Sequence, residues 1–281
     1  MNYIEVKAQI EPQIQGNDLW ISLLAEIGFE SFAEGDDDSS LAYIKENEFD
    51  LIQLELIKEK LILNNFKLNF SYSVIKDQNW NEVWENSYEP VIVEDKCIIR
   101  APFHTVENKY EYDILINPKM SFGTGHHETT YLCTSMMMDL DLKNKVVLDM
   151  GCGTGVLAIL AAKRGAEKVV AIDNNDWAFE NTKENILINE TPTIEVFLGD
   201  ADILKNMPLF DVIAANINRN ILLSDMSKYA TSLKKDGLLF LSGFYNLDFQ
   251  AIKQCAEDLK LEFKYKNERN TWILALFKKS I

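Results

Sequence analysis

Residues 146–160 read VVLDMGCGTGVLAIL, in which Gly151, Gly153 and Gly155 separate an apolar strand-like run from an apolar helix-like run. In doubly wound α/β sheets, ligands bind outside the carboxyl ends of the strands, and a glycine-rich turn there lets a ligand approach the backbone closely. The dinucleotide fingerprint requires G-x-G-x-x-G, but Val156 occupies the place of its third glycine. The segment therefore predicts a ligand-binding turn and disfavours NAD or FAD as the ligand.

Helices and strands alternate on both sides of this turn. The predicted strands are KVVLDM, KVVAID, IEVFLGD, FDVIAAN and LLFLSGF, each separated from the next by a helix-like stretch or a loop, and LEFKYKN and TWILALFKK follow as final strand-like pieces. Continuous apolar strands alternating with helices indicate a parallel sheet covered on both faces. We therefore predict a doubly wound, Rossmann-like α/β domain over residues 111–281.

The N-terminal part has a different pattern. Residues 1–76 read as strand–helix–strand–strand–helix–strand, the order of a small α+β ferredoxin-like domain. Residues 77–110 read as a linker helix, with Trp80 and Trp84 four residues apart, followed by short strands. The sequence thus predicts two domains joined by a linker.

Charge and cysteine usage restrict the class of protein. The net charge is −16, and residues 1–100 hold 20 Asp and Glu against 8 Lys and Arg. Such a surface repels nucleic acid and attracts a basic protein, although excess acid also simply favours solubility. No apolar run is long enough to span a bilayer, and the N-terminus does not resemble a signal peptide. The four cysteines are far apart, so we expect reduced thiols in a cytoplasmic protein.

Acidic residues follow successive predicted strands. Asp173 comes 22 residues after Gly151, where a carboxylate can accept hydrogen bonds from both ribose hydroxyls, and Asp200 could face an adenine amino group. Asp149 could orient the glycine turn or accept a hydrogen bond from an ammonium group. Each aspartate alone is more often a turn or cap residue. Their order at successive strand ends favours a ligand-binding role instead, and the pattern resembles the nucleoside-binding half of a methyltransferase that uses S-adenosylmethionine.

Asn216 ends the strand FDVIAAN, beside the place where a methyl group would emerge. A free lysine, with a pKa of about 10.4, must lose a proton before its nitrogen can attack, and a nearby carboxylate would oppose that loss. A neutral amide oxygen can instead accept an amine N–H and aim the lone pair. Asn216 therefore suits an amine acceptor, and the alternative is that it only caps the following helix.

Several motifs, taken in order, point to one family. MSFGTGHHETT, LDMGCGTGVLAI, AIDNND, AANINRNIL and LLFLSGF together resemble the ribosomal protein L11 methyltransferase family, class I enzymes that depend on S-adenosylmethionine. The resemblance covers about residues 116–279. The glycine turn alone would indicate only the methyltransferase superfamily, whereas FGTG-x-H-x-TT followed by ANI-x-x-x-IL is much more specific.

The resemblance also implies roles for particular residues. Four residues match cofactor-binding positions of the family, namely Thr130, Gly151, Asp173 and Asn216. In the family, the FGTG-x-H-x-TT segment folds over the cofactor. The resemblance therefore implies that the methionine and adenine side of the cofactor is lined by Phe122, Thr124, His127 and Thr130. With Gly153, Gly155 and Asp200 these residues form the expected cofactor site.

This chain departs from the usual family pattern at three positions. Ser121 stands where alanine is common, His126 where threonine is common and Glu128 where proline is common. We do not expect His126 and His127 to form a metal site, because adjacent side chains tend to point apart.

The resemblance implies a protein N-methyltransferase acting on amino groups of ribosomal protein L11, on lysine side chains and possibly the N-terminal amine. The acidic N-terminal domain would bind this basic substrate. Alternatives are a related lysine methyltransferase acting on another protein, and a non-catalytic ribosome-assembly factor that binds S-adenosylmethionine. An oxidoreductase is disfavoured by the glycine spacing.

Overall fold

The computed structural model describes residues 2–35, 39–76, 88–119 and 121–280. The chain packs as two compact units, Met1–Ser87 and Tyr88–Ile281. Residues 88–110, which the sequence pattern placed in the linker, pack within the second unit. The linker helix predicted around Trp80 and Trp84 lies outside the described residues.

The first unit has six regular elements in its described part. They are β1 (Tyr3–Glu11), α1 (Gln13–Glu26), β2 (Ser31–Glu34), β3 (Ser40–Lys45), α2 (Leu51–Leu63) and β4 (Lys67–Ile75). The strands form an antiparallel sheet in the order β2-β3-β1-β4. Alternate residues of β1 are buried, and they pack with Trp20 and Leu24 of α1 and with Leu54 and Leu61 of α2. The order of elements is the one predicted, and the ferredoxin-like classification stays a prediction.

The second unit begins with three short strands and continues as alternating helices and strands. Its elements are β5 (Val91–Val93), β6 (Cys97–Arg100), β7 (Tyr112–Leu115), α3 (Glu128–Asp139), β8 (Val146–Met150), α4 (Val156–Lys163), β9 (Lys168–Asp173), α5 (Asp176–Ile188), β10 (Ile194–Leu198), β11 (Phe210–Asn216), α6 (Arg219–Ser232), β12 (Leu233–Tyr245), α7 (Phe249–Asp258), β13 (Leu261–Arg269) and β14 (Trp272–Lys279). A short 3₁₀ helix occupies Ala201–Asn206.

Seven strands form the main sheet, in the order β10-β9-β8-β11-β12-β14-β13. The first five run parallel to one another, whereas β14 is antiparallel to both of its neighbours. The predicted doubly wound parallel sheet is therefore confirmed, with β14 as a reversed strand within it. Because β14 is reversed, its first residue lies at the edge where the parallel strands end, and Trp272 pairs with Tyr245, the last residue of β12.

Helices cover both faces of this sheet. Successive residues of a strand point to opposite faces, so Val147 packs in the layer of α3 and α4, while Leu148 packs in the layer of α6 and α7. Both side chains are fully buried. No helix in the described ranges is both long and apolar enough to cross a membrane.

Candidate functional site

A cavity of about 440 Å³ opens at the carboxyl ends of the parallel strands. The sheet order places the residues that follow β10, β9, β8 and β11 side by side at this edge. A cleft at this position is the usual ligand site of a doubly wound sheet. Its lining comprises Ser121, Phe122, His127, Thr129, Met150, Gly151, Gly153, Asp173, Asn174, Asn175, Ala178, Gly199, Asp200, Asn216, Ile217, Asn218, Ile221, Asp225, Gly243 and Trp272.

The glycine turn packs tightly against two other loops. A Cβ built at Gly153 would lie 2.2 Å from the carbonyl oxygen of Phe122, and one at Gly151 would lie 2.2 Å from Cγ2 of Ile217. Both glycines have positive φ, at 56° and 71°. Glycine is therefore required here by contacts within the protein, in addition to any approach of a ligand.

Gly155 has a different role from its two neighbours. It is the N-cap residue of α4, with φ of 79°, and a Cβ there would lie 2.8 Å from Cγ2 of Thr182. It does not line the cavity. The structure thus gives Gly155 a part in starting the helix, and its direct contact with a cofactor stays a prediction.

Two of the predicted carboxylates line the cavity. Asp173 accepts hydrogen bonds from the backbone N–H of Gly153, at 2.9 Å, and of Asn175, at 3.0 Å. Asp200 accepts from the N–H of Asp202 at 2.8 Å and begins the 3₁₀ helix. Both aspartates therefore stabilise turns while facing the cavity. Because a carboxylate oxygen can accept more than one hydrogen bond, both retain capacity for hydroxyl or amino groups of a ligand.

Asp149 contacts the helix that follows the glycine turn. Its Oδ2 accepts the backbone N–H of Ala158 at 3.0 Å, and the side chain is buried outside the cavity lining. Burial raises the pKa of Asp149 to about 7, and the negative charge of Asp173 adds to that increase. Asp149 thus contacts the first turn of α4, directly after the glycine turn, and its role in orienting that turn stays a prediction.

Asn216 ends β11 and lines the cavity. The following helix is capped by Asn218, whose side chain accepts the N–H of Ile221 at 3.2 Å, so the alternative that Asn216 caps it is wrong. Within the described part of the chain, Oδ1 of Asn216 is buried without a hydrogen-bond partner. A buried acceptor of this kind costs roughly 1–3 kcal/mol unless a donor satisfies it. The strand end thus carries a neutral acceptor that no described group of the protein satisfies.

The FGTG segment is fastened to the glycine turn. The carbonyl of Phe122 accepts the N–H of Thr154 at 2.9 Å, and the hydroxyl of Thr154 donates to the carbonyl of Gly123 at 2.6 Å. These bonds place Ser121 and Phe122 in the cavity wall. The hydroxyl of Ser121 is another buried group without a hydrogen-bond partner among the described residues.

Three predicted lid residues have different surroundings. Thr124 lies outside the lining, where its hydroxyl is 3.2 Å from Nδ1 of His126. His127 lines the cavity and caps α3, its Nδ1 accepting the N–H of Thr129. Thr130 is buried beside it, also outside the lining. Direct contacts of Thr124 and Thr130 with a cofactor stay predictions.

The two adjacent histidines serve separate partners. Nε2 of His126 is 2.9 Å from the backbone carbonyl of Glu89, whereas Nδ1 of His127 bonds within α3. The departure at His126 is thus explained by a hydrogen bond that ties the FGTG segment to the start of the second unit.

Sequence reasoning missed an aromatic wall formed by the rings of His127 and Trp272, of which Trp272 lies across Asn216 from the two aspartates. The ring of Trp272 lies 4.7 Å from that of His127 and 4.0 Å from that of Tyr245, measured between centroids. The sequence pattern predicts only that Trp272 begins a strand, and its place at the cavity depends on the reversed direction of β14. No local signal in the sequence reveals that direction.

Ile217 and Gly243 were also missed. Gly243 has φ of 93°, and a Cβ there would lie 2.3 Å from the carbonyl oxygen of Ile217. Ile217 is thus held between Gly151 and Gly243, next to Asn216. A glycine inside the apolar strand LLFLSGF was the available signal, since such a glycine often marks a close approach of another backbone.

The model of the ribosomal protein L11 methyltransferase (PrmA) family matches residues 18–280. The chain belongs to this family. It is 46% identical over 279 residues to the ribosomal protein L11 methyltransferase of Phocaeicola vulgatus, covering 99% of both chains. To that of Porphyromonas gingivalis it is 47% identical over 261 residues, covering 92% of this chain and 90% of the relative.

A solved structure agrees with the family assignment. The crystal structure of the ribosomal protein L11 methylase from Lactobacillus delbrueckii subsp. bulgaricus matches with a TM-score of 0.64 and 26% identity. The match covers 69% of this chain and 100% of that one. The family resemblance predicted from the sequence motifs is therefore confirmed, and with it the methyltransferase class of the fold.

Proposed function

We propose that this L11 methyltransferase family member transfers methyl groups from S-adenosylmethionine to amino groups of ribosomal protein L11, on lysine side chains and the N-terminal amine. The family membership supports the reaction and the substrate. The observation that carries the amine specificity is the buried, unpartnered Oδ1 of Asn216 at the cavity. As L11 is a ribosomal protein, we expect the reaction in the cytoplasm.

The residues of the cavity fit S-adenosylmethionine. Asp200, Asp173 and the glycine turn follow β10, β9 and β8, in that order along the sheet edge. We assign Asp200 to the adenine amino group, Asp173 to the ribose hydroxyls, and Gly151 with Gly153 to the methionine end. The bound cofactor would supply a methyl group carried on a positively charged sulfur. This assignment leaves Asn216, after β11, on the side of the acceptor.

Asn216 would orient the acceptor amine. Its neutral carbonyl oxygen can accept an amine N–H without stabilising the ammonium form, as a carboxylate would. Asp225 also lines the cavity, but its carboxylate is paired with Lys228 at 2.8 Å. The rings of His127 and Trp272 provide a wall that excludes water from the acceptor. Positioning and desolvation then account for most of the rate.

The first unit would bind L11 through its acidic surface. Residues 1–100 carry most of the chain's negative charge, which favours encounter with a basic protein. Helix α2 adds largely exposed apolar side chains, Ile52, Leu56 and Leu63, beside Glu55 and Glu59. An exposed apolar surface flanked by carboxylates suits a partner that combines apolar and basic side chains.

The test is methyl transfer from labelled S-adenosylmethionine to purified L11, with mass spectrometry of the product. Asn216→Ala should lose transfer by about 10²-fold, the order expected when positioning of a reactant is lost. Its Kd for the cofactor should stay within about threefold, or about 0.65 kcal/mol, near the lower end of what one hydrogen bond contributes. Asn220→Ala, an exposed position on α6, is the matched control and should behave as the unmodified protein.

Two results would contradict the proposal. Transfer to another protein but not to L11 would indicate a related lysine methyltransferase. Cofactor binding without transfer to any protein of a hypomethylated extract would indicate a non-catalytic assembly factor.

A further inference from the structure

Glu128 joins two segments that are far apart in the sequence. Its Oε1 accepts a hydrogen bond from Nδ2 of Asn270 at 2.6 Å, and its Oε2 pairs with Nε of Arg269. Glu128 is the first residue of α3, whereas Arg269 and Asn270 form the end of β13 and the turn into β14. We call these three residues the Glu128 clamp.

Arg269 is held on two sides, by the carboxylate of Glu128 and by the ring of Tyr131. The guanidinium carbon of Arg269 lies 3.7 Å from the ring centroid of Tyr131, one helical turn after Glu128. Stacking on an aromatic ring together with an ion pair restricts a guanidinium far more than an ion pair alone. The turn that follows is held in an uncommon conformation, with φ of 47° at Asn270 and 71° at Thr271.

Both ends of the clamp lie next to residues of the cavity wall. Glu128 directly follows His127, and Asn270 comes two residues before Trp272. The ring centroids of His127 and Trp272, both of which line the cavity, are 4.7 Å apart. The start of α3 and the start of β14 are therefore joined twice, by the Glu128 clamp and by the contact between the two rings. The clamp fixes the backbone from which each ring projects.

The sheet order decides which ligand this wall faces. From β10 to β14, the cavity residues run from Asp200 and Asp173, through the glycine turn, to Asn216, Gly243 and Trp272. The two carboxylates and Trp272 thus stand on opposite sides of Asn216. Trp272 therefore lies on the acceptor side, whereas the ring of His127 also lies 5.1 Å from that of Phe122, measured between centroids, and so connects Trp272 with the segment expected over the cofactor.

We propose that Glu128, through Arg269 and Asn270, is a positioning residue that holds the His127–Trp272 wall in place for the acceptor amine. The inference rests on the proposed function for the identity of that acceptor. The side chains of Glu128 and Arg269 are 25% and 44% exposed, and ion pairs this exposed contribute little to folding. The main effect of the clamp is on the geometry of the wall.

The experiment compares Glu128→Ala, Glu128→Gln, Arg269→Ala and the double variant Glu128→Ala/Arg269→Ala. We measure kcat and KM for L11, the Kd for S-adenosylhomocysteine, and tryptophan emission. Each emission spectrum is recorded with and without Trp272→Phe, so that the difference reports Trp272 alone. Asp236→Asn is the matched control, because it removes the ion pair of Asp236 with Lys278 at the other end of β14.

Glu128→Ala should lower kcat/KM for L11 by roughly three- to thirtyfold, short of the 10²-fold that a full 1 Å misplacement can cost. The Kd for S-adenosylhomocysteine should change less than about twofold, since Asp173, Asp200 and the glycine turn make no contact with the clamp. Trp272 emission should shift to longer wavelength as the ring gains water. Glu128→Gln should restore part of the activity, because its amide oxygen still accepts from Asn270. The double variant should be no worse than Glu128→Ala, and Asp236→Asn should match the unmodified protein.

Three results would overturn the inference. They are normal kinetics and normal Trp272 emission in Glu128→Ala, an equal loss of cofactor affinity and acceptor kinetics, or losses that multiply in the double variant. If the unmodified protein transfers no methyl group to L11, the proposed function fails, while the emission comparison still decides on the clamp because it needs no acceptor.

Discussion

Replacing Gly243 by alanine tests how the loop that carries Asn216 is held. The new Cβ would lie 2.3 Å from the carbonyl oxygen, 2.7 Å from the carbonyl carbon and 3.0 Å from the nitrogen of Ile217. These are backbone atoms, so the strain cannot be relieved by a side-chain rotation. Ile217 must move by about 1 Å to reach ordinary contact distance, and Asn216 moves with it.

Gly165→Ala provides a matched control for the backbone strain. Gly165 has φ of 84°, close to the 93° of Gly243, but the atoms nearest to a Cβ placed at Gly165, on Lys143, are 3.9 Å away. Both variants incur about 1–2 kcal/mol for a left-handed alanine. Only Gly243→Ala adds the clash, which at the usual cost of overpacking is about 1–3 kcal/mol.

Thermal unfolding and methyl transfer measure the two consequences. A domain of this size loses about 2–4 °C in Tm per kcal/mol, so Gly243→Ala should unfold about 2–12 °C below Gly165→Ala. Its kcat should fall by at least about tenfold, since a misplacement of 1 Å can cost up to about 10²-fold. Equal Tm values and equal kcat values for the two variants would refute the role assigned to Gly243 and Ile217.

Two further predictions concern buried and capping side chains. The pKa of Asp149 is about 7 in the folded protein and about 3.9 in the unfolded chain, so its contribution is fully present below pH 4 and is lost as the pH rises towards 7. Urea unfolding at pH 5, 6 and 7 should therefore show a fall in stability that is smaller in Asp149→Asn, and identical slopes would contradict the account. Asn218→Ala removes the N-cap of α6 and should cost about 0.5–2 kcal/mol of unfolding free energy. An unchanged urea midpoint would show that the cap contributes nothing.

Much of the fold was predictable because hydrophobic periodicity is a local property. The alternation of apolar strands with helices predicted the covered sheet, and the residues that follow β8, β9, β10 and β11 were placed at one edge for the same reason. The direction of β14 could not be predicted, because an apolar strand reads alike in both directions. Trp272 and its wall were missed as a consequence.

The different roles of Asn216 and Asn218 also could not be predicted from the sequence. Asn216 and Asn218 both precede α6, and from the sequence either could cap it. The cap is Asn218 because the helix begins at Arg219, and the exact ends of helices are not fixed by local sequence patterns. Similarly, Glu128 was recognised only as a departure from the family pattern. Its partners Arg269 and Asn270 lie 141 and 142 residues away, so only the folded chain reveals them.

The most direct test of the role of Asn216 is the pH profile of methyl transfer by Asn216→Asp. The substitution preserves the shape of the side chain and replaces the neutral amide with a carboxylate, which favours the ammonium form of the acceptor. We predict normal binding of S-adenosylhomocysteine, a large loss of transfer at pH 7, and partial recovery as the pH rises. Transfer at the normal rate, with the pH profile of the unmodified protein, would contradict the claim that a neutral amide is needed to orient the amine.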